Sequence, residues 1–102
     1  MALVEQAEFV ELLAIAQEKI IDYIENERYV YVHCHGNDGT VRHTVLIDEF
    51  ELSDKGFYLV SGTFQLNIES DLTAIQYIKE EDSLYIKFLS GKEIYLNPDD
   101  VI

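Results

Sequence analysis

The sequence is poor in cysteine, proline and basic residues, and each shortage excludes a class of protein. Its 102 residues include one cysteine, one proline, and seven Lys and Arg against twenty Asp and Glu. The lone Cys34 rules out an intrachain disulfide framework and is typical of a reducing compartment. The formal net charge of −13 repels phosphate groups, so direct binding to DNA, RNA or an anionic membrane is not expected. We therefore expect a cytoplasmic protein whose partners are basic.

The chain also lacks a long uninterrupted apolar run. Glu5, Glu8 and Glu11 interrupt its first residues, which contain no basic segment, so we expect neither a signal peptide nor a membrane span. Yet 48% of the residues are hydrophobic, which is too many for an acidic disordered tail. This length and composition predict a single domain, residues 1–102, with an apolar core and a negatively charged exterior.

The N-terminal segment, from about residue 3 to residue 26, has the periodicity of an amphipathic helix. Its apolar arc consists of Phe9, Leu12, Leu13, Ala16, Ile20, Tyr23 and Ile24. The opposite arc is acidic, is interrupted only by Lys19, and consists of Glu8, Glu11, Glu18, Asp22 and Glu25. An acidic arc is the usual solvated side of a helix that packs on a core, and it also resembles a line of spaced phosphates.

After Asn26 the period changes to two, which predicts β-strands. The predicted strands are 28–35, 40–50, 56–68, 72–79, 83–89 and 93–97. The turns between them are too short for parallel crossovers, so the sheet should be an antiparallel meander. The sequence therefore predicts an α+β fold in which the N-terminal helix packs on a curved antiparallel sheet of five to six strands, which has the curvature to approach a barrel.

Two positions inside the predicted strands break the alternation of apolar and polar residues. Gly62 lies in the middle of strand 56–68, on the parity that is otherwise apolar. A bulge or sharp bend is expected there, with close approach of a ligand to the backbone as the alternative. The apolar parity also changes near Phe50, which predicts a bulge or a strand end.

Three histidines, His33, His35 and His43, flank the turn after the first predicted strand. If residues 37–39 form a three-residue loop, His33 opposes His43 and all three imidazoles share one face. Such a face can bind zinc or another transition metal, with water or Asp38 completing the coordination. A two-residue loop instead moves His43 to the other face, and the histidines then belong to an exposed polar and aromatic strand surface.

Tyrosines occupy the less apolar parity of several predicted strands. They are Tyr29, Tyr31, Tyr77, Tyr85 and Tyr95. Exposed tyrosines are common at protein interfaces, where they add contact area with little loss of entropy. The alternative is ordinary cross-strand packing, and Tyr85 is expected to pair with Tyr95 across the turn at 90–92.

The sequence contains no motif of a common catalytic site. It has no phosphate-binding glycine loop, nucleophile elbow, His-Glu-x-x-His segment or Cys-x-x-Cys pair. Cys34 shares the parity of Val30 and Val32, so we expect a buried thiol and not a nucleophile. A protein without enzymatic activity and without a cofactor is predicted.

These features favour a small acidic protein-interaction module, an inhibitor or adaptor, that binds a basic protein partner or forms a homo-oligomer through an exposed strand edge. The predicted partner-binding residues are Tyr29, Tyr31, Tyr85, Tyr95, Glu11, Glu18, Asp22 and Glu25. One alternative is a nucleic-acid-mimicking inhibitor from a phage or mobile element. Another is a small-ligand or transition-metal binding domain that uses the face of His33, His35 and His43.

Overall fold

A computed structural model of the protein describes residues 2–37 and 39–99, with side chains described for 8–37 and 39–98. In these ranges one helix precedes eight strands: α1 Ala2–Glu25, β1 Tyr29–Gly36, β2 Gly39–Leu46, β3 Glu49–Ser53, β4 Gly56–Ser61, β5 Phe64–Ile68, β6 Leu72–Ile78, β7 Ser83–Phe88 and β8 Glu93–Asp99. Five strands form one antiparallel sheet in the order β2-β1-β8-β7-β6, and β3-β4-β5 form a second. The predicted α+β class and antiparallel five-stranded sheet are confirmed, and the sheet does not close into a barrel.

The strand order of the larger sheet departs from a simple meander at one point. β8 returns to pair with β1, so the last strand of the chain lies at the centre of the sheet, between β1 and β7. β1 can accept this partner because β3, β4 and β5 leave to form the smaller sheet. The edges of the larger sheet are therefore β2 and β6.

Predicted strand 56–68 is in fact a hairpin, so a bulge or bend within one strand is the wrong interpretation of Gly62. Gly62 adopts a φ of +57° in a two-residue turn that joins β4 to β5. The Gly62 N–H donates a hydrogen bond to Asp48 Oδ2 at 2.6 Å, which fixes the turn. A positive φ suits glycine because it has no Cβ to clash with the neighbouring carbonyl.

The two-residue turn at 62–63 also determines which residues of β4 face the core. A two-residue loop pairs odd-numbered residues of one strand with even-numbered residues of the next, as in Phe57 with Ile68. Phe57 and Leu59 are buried, whereas Tyr58 and Val60 lie on the opposite face of the small sheet. The sequence predicted one apolar parity, the even-numbered residues, along the whole of strand 56–68. That parity faces the core in β5 but not in β4.

Predicted strand 40–50 is also divided. β2 ends at Leu46 and β3 begins at Glu49, which confirms the strand end expected near Phe50. The Asp48 N–H donates to the Val60 carbonyl at 2.8 Å and joins this connection to β4.

The helix packs through the predicted apolar arc. Ala16, Ile20 and Tyr23 are fully buried and share one hydrophobic cluster with side chains from both sheets. The acidic arc faces outward as expected, with Glu8, Glu11, Glu18 and Glu25 exposed and Asp22 half-buried. Within the described ranges, no helix has both the length and the apolar content needed to cross a bilayer.

Candidate functional site

Among the described residues, no other element packs on the outer face of the five-stranded sheet. In antiparallel pairs, directly opposed residues project to the same side, so the register assigns every strand residue to one of two faces. The inner parity belongs to the core, and Cys34, only 6% exposed, lies on it as predicted. On the outer parity, Ser83 alone among the described residues is buried. We call this outer surface the tyrosine face, because it carries Tyr29, Tyr31, Tyr85 and Tyr95.

A row of opposed side chains crosses the middle of the tyrosine face, one from each strand. In the order of the sheet it consists of Arg42, His33, Tyr95, Tyr85 and Gln76. Neighbouring strands lie about 4.8 Å apart, so the row spans about 19 Å. The predicted pairing of Tyr85 with Tyr95 is confirmed by the register of β7 and β8.

The two remaining tyrosines extend this row along β1. Tyr31 opposes Asn97 of β8, and its ring centroid lies 6.2 Å from that of His33. Tyr29 opposes Leu46 of β2 and is 54% exposed. The structure therefore brings together all four tyrosines predicted as partner-binding residues.

Tyr77 does not belong to this surface, although its parity suggested that it would. It opposes Leu84, a core residue, and is half-buried on the inner face. The register of β6 shifts between Leu72 and Ala74, and this irregularity reassigns the faces of the residues that follow it.

Two tyrosine hydroxyls orient carboxylates on the tyrosine face. Tyr85 donates a hydrogen bond to Glu93, and this bond raises the pKa of the Tyr85 phenol. Tyr95 donates to Glu81, and burial together with this hydrogen bond raises the pKa of Tyr95. Both phenols therefore stay protonated at neutral pH and hold the two carboxylates as fixed acceptors.

Two cations, Arg42 and Lys87, lie on the tyrosine face beside the two carboxylates that the tyrosines hold. Lys87 lies 5.9 Å from the Tyr85 ring centroid, and Arg42 makes no ion pair with any residue that the structure describes. These two cations offset the two carboxylates that the tyrosines hold. A groove of ≈ 420 Å³ runs between His33, Arg42 and the aromatic pair of β7 and β8.

The β1–β2 hairpin does not bring the three histidines to one face. Gly36 pairs with Gly39, so the loop has two residues and His33 opposes Arg42, not His43. The prediction of a shared face is therefore wrong, because the shorter loop shifts the register by one residue.

The histidines consequently have separate surroundings. His33 and His35 lie on the tyrosine face, and the Nδ1 of His35 is 3.0 Å from Thr40 Oγ1. His43 lies on the other side of β2, with its ring centroid 4.5 Å from that of Phe64. No group of three metal-ligating side chains occurs among the described residues, and Asp38, the suggested fourth ligand, lies outside them.

The helix carboxylates form a second surface, away from the tyrosine face. Glu11, Glu18 and Glu25 are exposed on the outer arc of α1. Asp22 is partly engaged, since its Oδ1 accepts a hydrogen bond from Asn26 Nδ2 at 2.8 Å. The apolar arc of the helix packs in the core on the inner side of the sheet, so its outer arc and the tyrosine face are separate surfaces. The eight predicted partner-binding residues are therefore two surfaces and not one.

A cluster around Asp82, which the sequence did not reveal, joins the helix to the sheet. Lys19 Nζ lies 2.8 Å from Asp82 Oδ1, and Arg28 Nη1 lies 2.9 Å from Oδ2. Tyr77 donates its hydroxyl to Oδ1 at 2.6 Å, and Tyr23 donates to the Asp82 backbone carbonyl at 2.5 Å. The one signal in the sequence was Lys19, the only cation within the acidic arc of the helix.

The contacts around Asp82 favour a structural role for this cluster over a catalytic one. Burial alone would raise the pKa of Asp82, but hydrogen bonds from Lys19, Tyr77 and Arg28 outweigh it and lower the pKa below its usual value. The same contact with Asp82 raises the pKa of Lys19. A carboxylate that is ionised and has both oxygens occupied by donors is a poor general base.

Comparisons of the chain with protein-family models, with curated proteins and with solved structures find no match. Function is therefore interpreted from three features of this chain: the tyrosine face, the acidic helix surface and the Asp82 cluster. Of these, only the tyrosine face combines exposed aromatic area with oriented polar groups.

Proposed function

We propose that the protein is a non-enzymatic interaction module, an inhibitor or adaptor, that docks a basic protein partner on the tyrosine face. The main support is the position of four tyrosines on one sheet face, which no other element covers in the part of the chain that the structure describes. Tyrosine supplies a large, rigid contact area at low entropic cost, together with a hydroxyl for polar contacts. The inner face already forms the core, so these outward side chains are not needed to complete it.

Charge favours a basic partner. Glu81 and Glu93, held by Tyr95 and Tyr85, are oriented acceptors for the Lys or Arg side chains of another protein. The net charge of −13 also attracts a basic protein before contact, over about 8 Å at physiological ionic strength. Salt should therefore slow association more than it speeds dissociation.

A role without catalysis agrees with the positions of the reactive side chains. The Cys34 thiol is buried, Asp82 is saturated with donors, and the histidines are divided between two faces. A chain whose one cysteine is buried also suits the reducing cytoplasm that we propose as the compartment.

Affinity capture from the native host, followed by binding measurements with the captured partner, tests this proposal. The double variant Tyr31→Ser with Tyr95→Ser should weaken binding at least about tenfold, because central aromatic anchors contribute most of the energy of an interface. Surface plasmon resonance at several salt concentrations measures both the affinity and the rates.

The matched control is Tyr58→Ser, which removes a half-buried tyrosine from the smaller sheet. This variant should bind like the wild type. If the tyrosine-face double variant keeps full affinity while Tyr58→Ser loses it, the docking surface has been assigned to the wrong sheet.

The acidic helix supports a second candidate, a mimic of nucleic acid that occupies a DNA- or RNA-binding cleft. Glu11, Glu18 and Glu25 are exposed at seven-residue intervals, which places them about 10.5 Å apart along one side of the helix. Reversing charge with Glu18→Lys and Asp22→Lys should abolish capture of a nucleic-acid-binding protein in this case. If binding depends on the tyrosines and survives this reversal, the mimic is excluded.

A further inference from the structure

Three of the four strand edges in the two sheets have a feature that hinders pairing with another chain. On β3, Gln17 Nε2 donates to the Leu52 carbonyl at 2.7 Å, and Glu49 and Glu51 add charge. β6 has a register shift and packs beside α1, and β5 is only five residues long. Natural sheets use such features to prevent edge-to-edge association.

The fourth edge, β2, is the longest of the four, and Arg42 is its one Lys, Arg, Asp or Glu side chain. Gly39–Leu46 pairs with β1 over eight consecutive positions without a bulge, and seven of its eight residues are exposed. Its sequence, GTVRHTVL, contains no proline, lysine or carboxylate and is rich in β-branched residues. A regular and exposed edge of this kind is suited to pairing with another strand.

Charge identifies a second copy of this chain as the occupant. Two molecules of net charge −13 repel each other wherever their carboxylates meet. The β1–β2 hairpin, residues 28–47, contains only Asp38 of the chain's twenty Asp and Glu residues. The β2 edge is therefore the place where two copies approach each other with the least repulsion.

The hairpin register shows which backbone groups β2 can offer. In a two-residue hairpin the pair that flanks the loop, Gly36 with Gly39, is hydrogen bonded, and bonded pairs then alternate along the strands. The N–H and C=O groups of Thr40, Arg42 and Thr44 consequently point away from β1. The carbonyl of Leu46, on the same parity, already accepts a hydrogen bond from Ser61 Oγ.

We infer that two copies of the protein pair through β2, antiparallel about a twofold axis, and join their five-stranded sheets into one continuous sheet. A register centred on Arg42 would place two guanidinium groups opposite each other, which is unfavourable. A register centred on Val41, which is 41% exposed, pairs an apolar side chain with its own copy and Thr40 with Arg42 of the second copy.

This dimer places both tyrosine faces on the same side of the joined sheet. A twofold axis that relates antiparallel edge strands runs perpendicular to the sheet, so it preserves the side to which each face points. A partner with two binding sites, or a repeating surface, would then be held bivalently. Dimerisation itself does not depend on the proposed docking function and is tested without any partner.

Light scattering with size-exclusion chromatography should show wild-type protein at twice the 11.8 kDa chain mass. Arg42→Pro removes the outward N–H without breaking a hydrogen bond to β1. Because the dimer is symmetric, the variant loses two hydrogen bonds across the interface, one from each copy. The dimer dissociation constant should rise about tenfold or more.

Arg42→Thr is the matched control, because it removes the same charge but keeps the N–H, and it should remain dimeric. A monomeric wild type at high concentration, or a dimer that Arg42→Pro leaves intact, would overturn the inference.

A crosslinking experiment covers the case in which Arg42→Pro fails to fold. In a Cys34→Ser background, Val41→Cys should form a disulfide-linked dimer on mild oxidation, since self-opposed Cβ atoms lie within disulfide reach. Arg42→Cys in the same background should crosslink at least about tenfold more slowly, because it opposes Thr40 of the second copy. Equal rates, or no crosslinked dimer from Val41→Cys, would contradict the paired edge.

Discussion

The Asp82 carboxylate has three polar partners, and these contacts explain its unusual backbone. Its φ of +55° is uncommon for a residue other than glycine and costs roughly 1 kcal/mol. Lys19 from the helix, Arg28 from the segment after it, and Tyr77 from β6 all converge on its carboxylate. These favourable contacts offset the strain, and they also join the helix end to the β6–β7 turn.

Replacing Asp82 with Asn removes the charge but keeps the shape and the tolerance of positive φ. We expect Asp82→Asn to lower the free energy of unfolding by about 1–3 kcal/mol, since Lys19 and Arg28 lose their shared charged acceptor. Urea denaturation at pH 7 measures the change. Glu80→Gln, at an exposed position of the same turn, should be nearly neutral. Equal effects of the two variants would show that the cluster contributes little.

The pH dependence of this loss follows from the lowered pKa of Asp82. The folded state holds the carboxylate ionised more strongly than the unfolded state does, so the stabilisation is complete above the ordinary value of 3.8. The stabilisation by the ionised Asp82 carboxylate is lost as the pH falls through the lower pKa of the folded state. The difference between wild type and Asp82→Asn should therefore shrink between pH 5 and acidic conditions; a constant difference would contradict a role for the ionised carboxylate.

The helix was the most predictable element, because its apolar and acidic arcs follow a period that only a helix satisfies. Its end was less predictable. Glu27, with a φ of +52°, takes the left-handed position that usually belongs to glycine. The Arg28 N–H donates to the Tyr23 carbonyl at 3.0 Å and the Glu27 N–H to the Ile24 carbonyl at 3.1 Å, which closes the helix in the manner of a Schellman motif.

Replacing Glu27 with Gly should stabilise the protein. Glycine adopts the left-handed conformation without strain, and the change removes a carboxylate from the negative end of the helix dipole. We expect a gain of about 0.5–1 kcal/mol in the free energy of unfolding, measured by chemical denaturation. Glu25→Gly, at the last helical residue, should instead destabilise by a similar amount. A loss of stability in Glu27→Gly would show that Glu27 makes a favourable contact.

Two errors in the predicted strands have the same physical origin. The turn at Gly62 was hidden because Phe57, Tyr58, Leu59 and Val60 are all apolar or aromatic, so β4 has no alternation from which to identify its buried face. At the histidines, the glycines that flank residues 37 and 38 suit a two-residue or a three-residue loop equally well. Loop length determines register, and the sequence does not specify it at either place.

At the scale of the whole molecule, the structure divides the predicted partner-binding residues into two surfaces, the tyrosine face and the outer arc of the helix. Parity predicted an outward position for five tyrosines, because each alternates with apolar residues along its strand. The prediction is confirmed for Tyr29, Tyr31, Tyr85 and Tyr95 and is wrong for Tyr77. The neighbours of these tyrosines depend on the strand order, in particular on the return of β8 to lie beside β1. The place of Tyr95 beside His33 follows from this strand order, and the pairing of His33 with Arg42 follows from the loop length. The sequence specifies neither of them.

Hydroxyl-radical footprinting of the complex with the captured partner tests the central claim most directly. Side chains that the partner covers lose reactivity relative to the free protein. We predict protection of Tyr31, Tyr85 and Tyr95, with Tyr58 on the smaller sheet unchanged. If Tyr58 or the helix surface is protected while these three tyrosines stay as reactive as in the free protein, the tyrosine face is not the docking site.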